Sequence, residues 1–249
     1  MTFPMIALLQ AGYYAEPHAA RYDAATMGMF VLIIAIGVIG FIVQARLQSV
    51  FKKYSKVQFP GGLTGAEVAE KMLRDNNIHN VKVTHVGGHL TDHFNPQTMT
   101  VNLSDSVYSS SSVAAAAVAA HECGHAIQDD VGYVPIKIRG AIVPVVSLGS
   151  ALCWPPFLIG LLMGAPGLVN AGIILFSLVV AFQLVTLPVE FNASGRALRI
   201  LDGAGILEGN ELQGAGKVLR AAALTYVASA LSSILQLLRL VLLSGRRRN

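Results

Sequence analysis

Ala25 to Val43 reads ATMGMFVLIIAIGVIGFIV, nineteen residues without one charge, and no other feature of the chain restricts its fold as severely. A stretch of that length matches a hydrocarbon core of about 30 Å. In lipid the backbone must satisfy its own polar groups, which leaves helices and closed barrels. Two further runs, Ala141 to Met163 and Leu168 to Val189, are separated by the turn signal Gly164-Ala165-Pro166-Gly167. A fourth, Val218 to Leu243, is interrupted by Arg220 and Arg239. Only 13% of residues are charged and the mean hydropathy is +0.57, whereas a soluble domain carries about 25% charged residues. The pattern predicts a mainly α, polytopic membrane protein. Phe3 to Leu9 is too short to span and has no basic region before it, so Ala25 to Val43 is expected to act as an uncleaved anchor.

Lysines and arginines set the expected orientation. Arg21 alone precedes the first span, whereas Arg46, Lys52, Lys53, Lys56, Lys71, Arg74, Lys82, Lys137 and Arg139 separate spans one and two. Arg196, Arg199, Lys217 and Arg220 follow span three. The expected division is an extracytoplasmic segment 1–24, spans 25–44, 141–163 and 168–189, and cytoplasmic regions 45–140 and 190–217. Helix 218–243 is transmembrane or interfacial, and a basic tail 244–249 follows. If 218–243 crosses, Arg246, Arg247 and Arg248 fall outside, against the rule; if it lies along the cytoplasmic face, they do not. The net charge of +4 suits anchoring beside anionic headgroups of the lipid bilayer. No aromatic-studded basic face accompanies it, so nucleic acid is not an expected partner. Cys123 and Cys153 form no disulfide framework, which is compatible with a reducing compartment.

Residues 45–128 read as a small domain inserted between spans one and two. Thr64 and Glu67 form a capping box that opens a helix with an apolar stripe of Val68, Met72 and Leu73. Val81 to Val86 and Met99 to Leu103 alternate with period two and predict short strands, joined by a polar loop. The serine run Ser109 to Ser112 precedes an alanine-rich stretch, Val113 to Ala120, which predicts a capped helix.

That helix continues into His121-Glu122-Cys123-Gly124-His125. Histidines four apart project from nearly one helix face and can reach a single metal ion. A glutamate beside the first can take a proton from metal-activated water. With seven histidines in the chain, chance would produce the pattern in roughly one such sequence in two hundred. A catalytic zinc usually takes three protein ligands and a water. The downstream acids are Asp129, Asp130, Glu190, Asp202, Glu208 and Glu211. Asp129 on the same helix would lie about 12 Å from His121 along the axis, so the third ligand should come from another helix. Glu190, just after Pro188 at the expected cytoplasmic end of span three, is the favoured candidate. The alternative for it is an interfacial glutamate paired with Arg196 or Arg199.

HECGHAIQ, the helix-strand-strand segment before it and PVEFNASGRAL after it together resemble the YugP-like membrane zinc metallopeptidases of bacteria. More distantly they resemble the HtpX type of integral-membrane gluzincin. The resemblance runs from about Val50 to Leu243. It implies transmembrane helices plus a small α+β cytoplasmic domain of zincin type carrying the motif helix, in a bacterial inner membrane. It further implies one Zn2+ per chain held by His121, His125 and Glu190, with Glu122 as catalytic base. The distant relatives commonly place an acid four residues after the ligand glutamate, where this chain has Ser194. Asn192 or Ser194 is therefore a candidate to orient a histidine ring. His89, His93 and Arg196 are weaker candidates to polarise a carbonyl or stabilise an oxyanion.

The expected activity is zinc-dependent hydrolysis of peptide bonds in membrane-associated proteins or peptides. An extended substrate is expected to add to the strand Met99 to Leu103. The competing reading is a non-enzymatic adaptor or assembly factor with a structural zinc, which would need a fourth protein ligand and no base. Metal transport is disfavoured because the spans carry almost no ionisable residues.

Overall fold

The structure, a computed structural model, describes residues 24–246. Phe3 to Leu9, Arg21, Arg247 and Arg248 lie outside the described residues. The chain divides after Ala35. Before that point lies the start of α1 (Ala24–Tyr54), with Phe30, Val31 and Ile34 exposed.

The unit beginning at Ile36 contains the remaining elements. The last turns of α1 bring Phe51 into a core with α2 (Gly65–Asp75). The capping box of α2 is present: Glu67 N donates to Thr64 Oγ1, and Thr64 N donates to Glu67 Oε2 at 2.7 Å. Val68, Ala69 and Met72 on one face of this helix are fully buried.

Three short strands follow, β1 (Lys82–Val86), β2 (His93–Asn95) and β3 (Thr100–Ser104), ordered β1-β3-β2. β3 pairs parallel with β1, Val83 opposite Val101, and antiparallel with β2, Phe94 opposite Val101. The strand expected to receive a substrate, Met99 to Leu103, therefore has partners on both sides. Its alternation drives it inward, since Val101 and Leu103 are fully buried. The edges belong to β1 and β2; β2, the edge beside the motif helix, has three residues, His-Phe-Asn, too few to show a period in the sequence.

The motif helix, α3 (Val113–Asp130), is capped by Ser112, whose hydroxyl accepts from Ala115 N. Its alanines allow close packing between α2, α6 and α7, and most of the helix is buried. The apolar run 141–163 is carried by two helices, α4 (Val134–Leu152) and α5 (Trp154–Met163). The break at Cys153 has a local cause: Pro155 and Pro156 have no N–H to donate to the preceding turn, although Cys153 itself keeps right-handed helical angles.

α6 (Pro166–Gly203) and α7 (Gly209–Arg246) have 38 residues each. Span three was placed at 168–189; the helix that carries it runs on through Pro188 to Gly203, so the segment from 190 begins as more of the same helix. Four helical stretches among the described residues are long and apolar enough to cross a membrane: Phe30–Tyr54, Val134–Met163, Pro166–Gly203 and Gly209–Gly245. A second, smaller core joins α5, α6 and α7 through Phe157, Phe176, Val180 and Leu240.

Candidate metal centre

α3 and α6 cross at Gly124. A methyl group there would stand 2.6 Å from the carbonyl oxygen of Ala193, so only glycine permits this approach. The crossing brings Glu190, one turn before Ala193 on α6, over the two motif histidines. Glu190 Oε2 lies 3.1 Å from His121 Nε2 and 3.6 Å from His125 Nε2, and the two Nε2 atoms are 3.2 Å apart. Among the described residues these three side chains are the one group whose ligand atoms converge in this way. Ligands about 2.0–2.1 Å from a shared zinc stand about 3.3 Å apart at the corners of a tetrahedron. The three distances match that edge, so the donor set fits zinc.

Each of the three side chains has a further partner. His121 Nδ1 lies 3.1 Å from Ser194 Oγ, so Ser194, a candidate to orient a histidine ring, does reach one. His125 Nδ1 lies 3.0 Å from Gln128 Oε1. Glu190 Oε1 pairs with Arg139 Nη1 at 3.3 Å. The alternative pairing of Glu190 with Arg196 or Arg199 is not formed. Arg196 Nε donates to Asn192 Oδ1 at 2.8 Å, and Arg199 Nε donates to the Gly195 carbonyl.

Glu122 is buried beside this cluster. Burial pushes its carboxyl up to about 7; Glu190 and Asp92 add to the rise, while His121 and the Phe94 N–H oppose it. The Phe94 N–H donates to Glu122 Oε2 at 3.0 Å. Asp92 in turn anchors the start of β2, accepting from Ser104 N at 2.7 Å and from Ser104 Oγ at 2.9 Å. Cys123 points the other way, its thiol donating to the Ala69 carbonyl in the core. Burial raises that thiol above its usual range, as suits a packing residue.

A cavity of about 480 Å³ opens on Glu122, His125 and Glu190. One wall is β2 and its turn, from Phe94 to Gln97; the other comes from α4 and α7, through Ile136, Val143, Arg139 and Tyr226. His89 and His93 are not on these walls. His89 packs edge-on against Phe51 at 5.4 Å, and His93 Nδ1 donates to the Thr91 carbonyl at 2.9 Å. Arg196 is engaged with Asn192 and is not on the walls either. Sequence reading missed Gln128, Arg139 and Tyr226. Gln128 stands one turn past His125 in the quoted HECGHAIQ, and its spacing was the one available signal. Arg139 and Tyr226 reach the site only through the packing of α4 and α7.

Four apolar helices and a buried His-His-Glu cluster define a membrane protein built around a candidate zinc site. Residues 29–245 match the family described as "Putative neutral zinc metallopeptidase", and the chain belongs to that family. It is similar to the "Putative membrane protease YugP" of Bacillus subtilis (strain 168), 48% identical over 223 residues, which covers 89% of this chain and 99% of that protein. No solved structure matches the chain. The resemblance noted from HECGHAIQ and PVEFNASGRAL thus extends along nearly the whole sequence, and membership of a zinc metallopeptidase family implies zinc.

Proposed function

We propose that the protein is a membrane-bound zinc endopeptidase that hydrolyses peptide bonds of membrane-associated proteins or peptides. His121, His125 and Glu190 hold one Zn2+ per chain, and Glu122 is the general base. The observation that carries this reading is the convergence of three ligand atoms at 3.1–3.6 Å beside the buried Glu122. Zinc bound there supplies a Lewis acid for the scissile carbonyl and lowers the pKa of water towards about 7.

The chain's own groups do the rest. Glu122 has a proton affinity suited to taking a proton from water and passing it to the leaving amine near neutral pH. The Phe94 N–H holds Oε2, which leaves Oε1 to face the cavity. Because that N–H turns away from β3, the Phe94 carbonyl does too, since both groups of a strand residue face one side. An extended peptide laid along β2 finds that carbonyl as an acceptor, which moves the proposed docking strand from β3 to β2.

The position along α6 supports a substrate at the membrane boundary. Glu190 lies about 36 Å from the helix start at Pro166, just beyond a hydrocarbon core of about 30 Å. The excess of lysine and arginine on this side favours the cytoplasmic face of a bacterial inner membrane. The partners proposed are therefore a protein or peptide substrate and the bilayer, with no nucleic acid. The adaptor reading would need a fourth protein ligand, and none joins the cluster among the described residues.

The test is zinc content of detergent-purified protein, with cleavage of a quenched-fluorescent peptide library. Wild type should hold about one zinc per chain, and folded Glu190→Ala should lose it. Glu122→Gln should keep the metal and lose roughly 100-fold or more of the cleavage rate. Equal zinc in wild type and Glu190→Ala would remove Glu190 from the ligand set; full cleavage by Glu122→Gln would remove the base.

A further inference from the structure

We infer that Gln128 is the positioning residue of this centre: it locks His125 in the tautomer whose Nε2 carries the lone pair. The inference rests on the zinc site proposed above.

Gln128 is fully buried, one turn beyond His125 on α3. Its Nε2 donates to the Val189 carbonyl at 2.8 Å and to Asn192 Oδ1 at 3.0 Å. A backbone carbonyl can only accept, so the nitrogen end of the amide must face α6. The oxygen end then faces His125 Nδ1 at 3.0 Å. An amide oxygen also only accepts, so Nδ1 must carry the ring hydrogen. The neutral ring's remaining lone pair is on Nε2, the atom pointing at His121 and Glu190.

Asn192 is fixed by the same logic. Arg196 Nε has no acceptor capacity and donates to Asn192 Oδ1 at 2.8 Å, so that oxygen is held towards Gln128. Donation thus runs from His125 to Gln128 and from Gln128 to Asn192, whose oxygen also accepts from Arg196, with no ambiguous member. His121 lacks such a lock, because the Ser194 hydroxyl can donate or accept. Asn192 therefore acts on the metal centre through Gln128, not on a histidine directly, and Arg196 orients the amide pair in place of an oxyanion.

The experiment measures Zn2+ affinity of the metal-free full-length protein by competition with a chromophoric chelator, with thermal melting of the same metal-free samples. Gln128→Met keeps the length of the side chain and removes the acceptor at Nδ1; it should bind zinc roughly 10- to 100-fold more weakly. Asn192→Leu should also weaken binding, while Asn192→Asp, which still accepts from both Gln128 and Arg196, should stay within about threefold of wild type. Melting of the metal-free variants should change little. If Gln128→Met lowers that melting point sharply, the contrast between Asn192→Leu and Asn192→Asp decides. Wild-type zinc affinity in Gln128→Met, or equal affinity in the two Asn192 variants, would overturn the inference. Failure of the zinc reading looks different: wild type and Glu190→Ala would then bind the same amount of metal.

Discussion

Gly124→Ala separates the needs of a helix from those of a metal site. Within α3, alanine gains about 1 kcal/mol of helix propensity over glycine. Against that, the new methyl group would sit 2.6 Å from the Ala193 carbonyl oxygen, where ordinary contact begins at 3.4 Å. Both partners are backbone of packed helices, so no side chain can turn aside. The helices must separate by about 0.8 Å, and overpacking of this kind costs about 1–3 kcal/mol. The two effects nearly offset, and the metal-free protein should melt within a few degrees of wild type. The ligands are less forgiving. Glu190 is one turn from Ala193 and moves with α6, whereas a zinc site tolerates about 0.2 Å. Zinc affinity, measured by chelator competition, should therefore fall at least about 10-fold while the fold survives. Wild-type affinity in Gly124→Ala would refute the claim that this crossing sets the ligand distances.

Three other outcomes follow from the same geometry. Burial raises Glu122 to about 7 in the metal-free protein, so its contribution to stability is fully present below about 4.5 and is lost as pH rises through about 7. That loss is at most about 3 kcal/mol, and melting against pH should lose this slope in Glu122→Gln; an unchanged slope would sink the assignment. Arg139→Met leaves the Glu190 carboxylate without its cationic partner; because Arg139 is partly exposed, the loss should be roughly 1–3 kcal/mol, below the cost of breaking a fully buried pair. Zinc should restore most of the difference, so chelated protein should melt well below loaded protein, and equal losses in both forms would argue against Glu190 facing the metal. Ser194→Asp puts a carboxylate beside His121 Nδ1, 3.1 Å from the present hydroxyl. Zinc affinity by the same competition should rise by roughly tenfold, and a fall would show that the ring is not oriented from this side.

Some features were legible in the residues because their causes are local. The capping box at Thr64, the serine cap before α3 and the two histidines on one helix face each depend on spacing within a few residues. Apolar runs likewise reveal where lipid-facing helices lie, because a hydrocarbon core demands length and apolar character alone. The motif allows any residue at 124, however, and nothing in the sequence says that Ala193 packs there. Nor does it show that β3 is central and β2 an edge, that Pro188 is passed over, that Arg139 and Tyr226 face the cavity, or that Gln128 stands behind His125. These depend on contacts between residues far apart in the chain, set by how closely the helices can approach. The sequence by itself determined a membrane protein carrying a two-histidine zinc motif. Only the tertiary structure decided how closely Glu190, the carboxylate the sequence favoured, meets the two histidines and which neutral and cationic side chains hold the cluster, because those distances exist only where the helix backbones pack to within a methyl group of each other.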